Sequence, residues 1–138
     1  MSDNLRKAIT ELKHGYTCAL CRDDDTYTTT QRGVKPLLDW IKLKTDLRGF
    51  SAADKVVGKA AAFLYILLGI SEIYALVISD AACEVFERFG IPAKYEKRVE
   101  YIINRDGSGK CPMEQAVWDI SSPEEALEAI KKKSTELF

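Results

Sequence analysis

Two hydrophobic periods alternate along the chain, and each change of period marks the boundary of a predicted element. Residues 3–14 carry leucine, isoleucine and alanine on one face at helical spacing, which predicts an amphipathic helix. Residues 16–22 and 26–31 are rich in Thr and Tyr and flank the acidic turn 23–25, which predicts a β-hairpin. A short helix over residues 35–45 follows.

The most apolar part of the chain begins at Ser51 and ends at Gly69. Asp54 stands three residues after Ser51, a capping-box pattern that predicts a helix running to Leu68. This helix is apolar nearly all round, so we expect both of its faces to be covered. Gly58 would lie in its interior at a cost of about 1 kcal/mol relative to Ala. We therefore expect backbone or a ligand to approach closely at Gly58.

A continuous apolar run at residues 73–78 is typical of a strand that is buried on both faces. Ser79 or Asp80 then caps a helix, which places a helix start directly after this strand. Residues 94–102 alternate between apolar and charged side chains, which predicts a more exposed strand.

Two further helices are predicted to begin at Pro112 and near Ser122. The predicted order is α-β-β-α-α-β-α-β-α-α. A hairpin followed by strand–helix–strand predicts a mixed sheet whose last two strands are parallel and joined by a right-handed crossover. The fold class is therefore α/β, with a single three-layer α/β/α domain over residues 1–138.

Composition excludes several classes of protein. The chain has 138 residues, 30% of them charged, and a net charge of −1, without the basic excess of nucleic-acid-binding proteins. The longest apolar run, residues 60–70, is too short for a membrane span, which needs about 18 residues or more. We expect neither nucleic acid nor membrane as a partner. The four cysteines, in a chain with no visible export signal, are expected to be thiols in a reducing cytoplasm.

Four short strings carry a resemblance to a known family. DKVVGKAAA (54–62), CPME (111–114), GVKPLLDW (33–40) and VIS (77–79) resemble an uncharacterised prokaryotic family, domain of unknown function 1893. The resemblance spans roughly residues 5–120, and the order of elements is similar to the cytidine-deaminase-like fold. It implies a deaminase-like domain but names no reaction.

The deaminase resemblance implies a site where two helices begin. In deaminases, His-x-Glu on the first helix and Pro-Cys-x-x-Cys on the second hold zinc and move protons. Asp54 would stand near the His position, and Asp80 and Cys83 would have the Cys-x-x-Cys spacing, with Val56 in place of the Glu. An Asp-Asp-Cys set is unusual for zinc and the proton shuttle is missing. We therefore expect a degenerate pocket with no metal and no cofactor.

Our leading hypothesis is that the chain binds a nucleotide-like or other phosphorylated small molecule. Lys55 and Lys59 stand four residues apart at a predicted helix start, where two cations and free N–H groups can bind a phosphate. A solvated edge, or an ion pair between Lys59 and an acid, explains them equally well. Asp54 is most simply a capping acid, or it accepts a hydrogen bond from a sugar hydroxyl or a base amine.

Two more segments complete the predicted pocket. Ser79 and Cys83 form its second wall at the next helix start, and Arg105, Cys111 and Glu114 form a lid. Arg105 belongs to a Gly-rich loop that either binds an anion or is a plain surface loop, since it lacks the order of a P-loop.

A first alternative is an enzyme that uses Cys111 as a nucleophile or redox thiol. Cys111 precedes Pro112 at a helix N-cap, where the dipole favours the thiolate, and Glu114 could act as its base or close a capping box. A structural cap explains both residues too, because no His partner is evident. Cys18 and Cys21 form a CxxC within a strand, so packing explains them better than redox chemistry.

A second alternative is an oligomeric interaction module without chemistry. Trp40, Trp118 and Leu137-Phe138 offer apolar surface for self-association, which makes a homo-oligomer possible. The sequence leaves open whether any reaction is catalysed.

Overall fold

A computed structural model describes residues 1–103, Gly107 and residues 109–137 of the chain. In these residues the helices are α1 (Asp3–Lys13), α2 (Lys35–Lys42), α3 (Lys59–Leu68), α4 (Asp80–Arg88), α5 (Pro112–Ala116) and α6 (Pro123–Leu137). The strands are β1 (Cys18–Arg22), β2 (Asp25–Thr29), β3 (Ser51–Val57), β4 (Glu72–Ser79) and β5 (Ala93–Val99).

The five strands form one mixed sheet in the order β2-β1-β3-β4-β5. β1 runs antiparallel to both β2 and β3, whereas β3, β4 and β5 are parallel to one another. The predicted hairpin and the predicted mixed sheet are both confirmed. Because β3 and β4 are parallel neighbours, the helices that follow them, α3 and α4, begin at the same edge of the sheet.

The helices cover the two faces of the sheet unequally. On one face α1 packs through Ala8 and Leu12 against Ala19, Cys21 and Ala53. On the other face the remaining helices and the sheet enclose the larger core, which is centred on α3. The prediction of a three-layer α/β/α domain is confirmed. In the described chain, one helix covers one face of the sheet and five helices cover the other face.

The predicted helix from Ser51 to Leu68 is wrong, because its first half is strand β3. This strand lies between β1 and β4 and is hydrogen-bonded to both. Ser51 does not cap a helix; its hydroxyl donates to Glu72 Oε2 at 2.6 Å. Strand pairing on both sides outweighs the helix propensity of an alanine-rich segment, and Gly58 separates β3 from α3.

Helix boundaries that are set by local signals agree with the prediction. Ser79 Oγ accepts the Ala82 N–H at 3.1 Å at the start of α4, and Ser122 Oγ accepts the Glu125 N–H at 3.3 Å at the start of α6. The predicted end of α3 at Gly69 is also confirmed, since this residue has a φ of 76° in the left-handed region.

Within the described residues, we find no helix that combines the length and the apolar character needed to cross a bilayer.

Candidate functional site

The candidate site lies where α3 begins, at the carboxyl end of β3. Gly58 is the N-cap residue of α3 and has an extended backbone, with φ −98° and ψ −176°. A glycine has no side chain with which to bond the free N–H groups of the first helical turn. The start of α3 therefore requires a partner from elsewhere in the chain.

Glu114 of α5 supplies that partner. Its Oε1 accepts the Lys59 N–H at 2.6 Å, across 55 residues of sequence. A Cβ atom on Gly58 would lie 1.7 Å from Glu114 Oε1 and 2.7 Å from its Cδ, so only glycine fits beside this carboxyl group. A close approach at Gly58 is present, but the prediction of backbone or a ligand is wrong: the approaching group is the Glu114 side chain, and Gly58 lies before α3 rather than inside a helix.

The second oxygen of Glu114 has no hydrogen-bond partner among the residues that the structure describes. Glu114 is 2% exposed, and its Oε2 is buried without a hydrogen-bond partner in the described chain. Burial raises the pKa of the carboxyl group, while the Lys59 N–H and the charges of Lys59 and Lys110 oppose that rise. The start of α3 thus holds a carboxyl group with one bonded and one free oxygen.

A cavity of about 420 Å³ adjoins this carboxyl group. The cavity lies between the start of α3, the segment before α2, residues 102–103 and α5. Its apolar walls are Val34, Val56, Ala60, Ala61, Ile102, Ile103, Pro112 and Met113. Its remaining lining residues are Arg32, Gly33, Gly58, Cys111 and Glu114.

Two backbone donors at the start of α3 belong to residues that line the cavity, Ala60 and Ala61. The first bond of the helix joins the Ala62 N–H to the Gly58 carbonyl at 2.9 Å. The N–H groups of Ala60 and Ala61 precede that bond and have no acceptor in the part of the chain that the structure describes. Together with Glu114 Oε2, they give the inner end of the cavity both donors and an acceptor.

Lys55 and Lys59 do not share a helix. Lys55 lies on β3, whereas Lys59 is the first residue of α3. Lys59 Nζ donates to the Trp118 carbonyl at 2.8 Å and lies 5.8 Å from the centre of the Phe63 ring. The predicted pair of cations at one helix start is therefore wrong, and neither lysine lines the cavity.

Asp54 is not a helix cap, because it lies within β3. Its Oδ2 accepts the Tyr65 hydroxyl at 2.6 Å, and that hydroxyl lies 3.0 Å from Cys18 Sγ. Burial of its carboxyl group raises the pKa of Asp54 to about 7, against the opposing bonds from Tyr65 and from backbone N–H groups. Asp54 thus forms a polar group under α3, outside the cavity lining.

The predicted second wall lies at the start of α4. Ser79 is buried and caps that helix, and Cys83 is partly buried one turn further on. Asp80, at the same helix start, pairs with Arg98 of β5 at 2.6 Å. Neither Ser79 nor Cys83 lines the cavity, so this wall of the predicted pocket is not part of it.

Two of the three predicted lid residues do line the cavity. Cys111 is the N-cap residue of α5, as predicted, and its N–H donates to the Ile102 carbonyl at 2.9 Å. Glu114 lines the cavity beside it, but it caps α3 instead of closing a capping box on α5. Arg105 lies outside the described residues.

Sequence reasoning missed most of the cavity wall, including Arg32, Val56 and Ile102. These residues come from three separate segments that only the fold brings together. Three of the four strings that carry the family resemblance did point to the site, since GVKPLLDW, DKVVGKAAA and CPME all contribute lining residues.

The three residues at the positions that correspond to the zinc ligands of deaminases lie on different elements. Asp54 lies on β3, whereas Asp80 and Cys83 lie on α4. Over the described ranges, no group of three or more His, Cys, Asp or Glu side chains is placed to hold a metal ion.

The other predicted features lie away from the cavity. Cys18 and Cys21 are buried on opposite faces of the sheet, which confirms that their CxxC spacing reflects strand packing. Trp118 is 40% exposed, and Trp40 is partly buried against the core. Phe138 lies outside the described residues.

Comparison with known proteins identifies a family. The model of a family described as a domain of unknown function (DUF1893) matches residues 7–134. A solved structure of a DUF1893 family protein (TM1506) from Thermotoga maritima is similar, with 26% sequence identity and a TM-score of 0.86. That match covers 96% of this chain and 92% of the Thermotoga chain. No curated protein matches the chain.

Proposed function

This chain belongs to the DUF1893 family, and we propose that its cavity binds a nucleotide-like or other phosphorylated small molecule without zinc. The observation that carries this proposal is the cavity of about 420 Å³ with mostly apolar walls and a few polar lining residues. Ligand pockets of proteins are typically clefts of roughly 300–1,000 Å³ with apolar walls and a few placed polar groups. The cavity fits that description in both size and lining.

The polar groups of the cavity are separated in a way that suits such a ligand. Glu114 lies buried beside the start of α3, whereas Arg32 is exposed. In our proposal a ring system lies between the apolar walls, and a phosphate reaches the Arg32 guanidinium, which can bind it through two hydrogen bonds. This replaces the predicted phosphate site at Lys55 and Lys59.

The position of the cavity in the fold supports the proposal. It adjoins the carboxyl end of β3, and ligands of open α/β sheets bind outside the carboxyl ends of the strands. The starts of α3 and α4 are neighbours at this edge, which is the arrangement that the deaminase resemblance implies. We therefore propose a deaminase-like architecture in which the pocket has lost its zinc ligands, in a chain that works in the cytoplasm apart from nucleic acid and membranes.

A thermal-shift screen against nucleosides, nucleotides and nucleotide sugars tests the proposal. A ligand at about a hundred times its dissociation constant stabilises the folded chain by about 2.7 kcal/mol, a shift of several degrees for a domain of this size. The variant Ala61→Leu, which fills the cavity, should abolish the shift. Arg32→Ala should weaken phosphorylated ligands more than their nucleosides.

A second cavity of about 320 Å³ provides the control. It is lined by Ile41, Lys44, Thr45, Asp46, Leu47, Arg48, Leu67 and Leu68. Lys44→Ala should leave every ligand shift unchanged. Failure of all compounds to shift the melting temperature, or an undiminished shift in Ala61→Leu, would overturn the proposal.

A second candidate function is a cysteine-dependent enzyme, because Cys111 and Glu114 line the same cavity. This function predicts that iodoacetamide labels Cys111 faster than free cysteine at neutral pH. Cys83 is the matched control, since it is also partly buried but lies outside the cavity. A labelling rate for Cys111 that is no faster than that of free cysteine would remove this candidate.

A further inference from the structure

The unpaired oxygen of Glu114 requires an explanation. Buried polar atoms in folded proteins are nearly always hydrogen-bonded, and each exception is commonly linked to strain, function or an unseen partner. Glu114 is 2% exposed, and its Oε2 has no partner among the described residues. An unpaired buried carboxylate oxygen loses its hydration without a hydrogen bond in return, which costs free energy. A ligand that donates a hydrogen bond to this oxygen would offset that cost.

The carboxyl group is held in one orientation. Oε1 is fixed by the Lys59 N–H at 2.6 Å, and the backbone of Gly58 lies directly against it. Gly58, which lies against the carboxyl group, lines the cavity together with Glu114 itself. Because Oε1 is used, Oε2 is the oxygen that stays available to a ligand.

The chemistry of this inner end selects one class of ligand group. A phosphate or carboxylate placed there would be repelled by the Glu114 carboxylate, whereas an N–H group would donate to it. The free N–H groups of Ala60 and Ala61 lie in the same wall and suit a ring acceptor. This combination matches a heteroaromatic edge on which an amino group stands beside a ring nitrogen.

We propose that Glu114 Oε2 accepts a hydrogen bond from the amino group of a bound heteroaromatic base, so that the cavity selects amino-substituted bases. This inference rests on the proposed nucleotide-like function and adds the orientation of the ligand in the cavity. The amino-bearing edge of the base lies at Glu114, and the phosphate lies at Arg32.

Matched probes test the inference on the unmodified chain. Adenosine 5′-monophosphate is compared with purine riboside 5′-monophosphate, and cytidine 5′-monophosphate with its analogue that lacks the amino group. Hydrogen bonds to charged groups stabilise by about 1.5–3 kcal/mol, so loss of the amino group should weaken binding roughly ten- to a hundredfold in at least one pair. Dissociation constants from calorimetry give this ratio.

A variant tests the role of the oxygen itself. In Glu114→Gln the amide oxygen can still accept the Lys59 N–H, which places an NH₂ group where Oε2 was. The preference for the amino-bearing probe should then fall to within a factor of about three. Glu84→Gln, an exposed glutamate on α4, is the matched control and should keep the full preference.

The outcomes separate this inference from the proposed function. Binding of neither pair to the unmodified chain would overturn this inference, and the proposed function would fall with it only if every compound of the thermal-shift screen also failed to bind. Binding that Ala61→Leu abolishes, but with equal affinity for probes with and without the amino group, would overturn the role of Glu114 and leave the cavity function standing. The comparison on the unmodified chain decides the matter even if Glu114→Gln fails to fold.

Discussion

The β3–α3 and β4–α4 units are consecutive, parallel and adjacent, yet their helices begin in different ways. The start of α4 is capped from within the unit, because Ser79 Oγ accepts the Ala82 N–H. The start of α3 has Gly58 at the same place and depends on Glu114, which lies 55 residues further along the chain than Lys59. The β4–α4 unit thus supplies its own helix cap, whereas the β3–α3 unit receives its cap from α5.

The two units also differ inside the sheet. Asp54 on β3 pairs in register with Ala75 on β4, so a carboxyl group and a methyl group occupy equivalent places under the helices. Asp54 needs the Tyr65 hydroxyl as a partner, whereas Ala75 needs none. The β3–α3 unit, which adjoins the cavity, therefore carries the buried carboxyl group of the pair. Its stability depends on α5, the helix that supplies Glu114.

The largest expected effect comes from Gly58→Ala. The new Cβ would lie 1.7 Å from Glu114 Oε1, so the carboxyl group must leave and α3 loses its cap. Overpacking costs about 1–3 kcal/mol and loss of a cap about 1 kcal/mol, so we expect the free energy of unfolding to fall by about 3 kcal/mol. Urea unfolding measures this loss.

A double-mutant cycle assigns the cause of that loss. In a Glu114→Ala background the carboxyl group is already absent, and Gly58→Ala should then cost less than about 1 kcal/mol. Equal costs in both backgrounds would show that the backbone of Gly58, rather than the remote cap, is responsible.

The next effect is a pH dependence from Asp54. Its pKa is raised from 3.8 to about 7 in the folded chain, so the folded state binds more protons than the unfolded state between these values. The free energy of unfolding should therefore fall as the pH rises from about 4 to about 7. About three pKa units at about 1.4 kcal/mol each set an upper limit of about 4 kcal/mol. Because Asp54 is only partly buried, we expect the fall to be about 2 kcal/mol.

Asp54→Asn should flatten this pH profile, since the amide oxygen can still accept the Tyr65 hydroxyl but does not titrate. Glu114, whose pKa is also raised by burial, contributes a fall of the same sign above about pH 4.5 and should persist in the variant. An unchanged slope between pH 4 and 7 in Asp54→Asn would count against a raised pKa for this residue.

A smaller effect is expected from Ser79→Ala at the start of α4. Loss of an N-cap side chain costs about 1 kcal/mol, and the cost should stay within the β4–α4 unit. Hydrogen exchange should show faster exchange in the first turn of α4, with protection in α3 and ligand affinity unchanged. Weakened protection in α3 would show that the two helix starts are coupled.

The smallest effect is expected from Asp80→Asn. Asp80 and Arg98 form an ion pair at 2.6 Å with both side chains nearly half exposed, and exposed pairs contribute about 0–1 kcal/mol. We expect a loss below about 0.5 kcal/mol that vanishes in 1 M salt. A loss as large as that of Ser79→Ala would mean that the ion pair also positions β5.

The contrast between the two units also explains what the sequence could predict. The start of α4 was predicted because Ser79 is a local cap, and the strand before it because residues 73–78 are continuously apolar. Strand β3 was missed because Ser51 and Asp54 imitate a capping box and the segment is rich in alanine. Its true pattern depends on pairing with β1 and β4, which no local window contains.

The candidate site was predicted in part for the same reason. Gly58 gave a signal of close approach, although the approaching group is a side chain, and two of the predicted residues, Cys111 and Glu114, line the cavity. Lys55, Lys59 and Asp54 were misplaced because the helix that carried them was misplaced. Arg32 and Ile102 gave no signal, since their role arises from segments that meet only in three dimensions.

The position of the lone helix α1 has a consequence during synthesis of the chain on the ribosome. It is synthesised before the strands that it covers, because its apolar face rests on β3 and β4 as well as β1, and the Ser2 hydroxyl donates to Glu72. At a synthesis rate of roughly 5–20 residues per second, these strands follow several seconds after the helix. During that interval α1 is an amphipathic segment without its final surface, and a chaperone that binds nascent chains would meet it there.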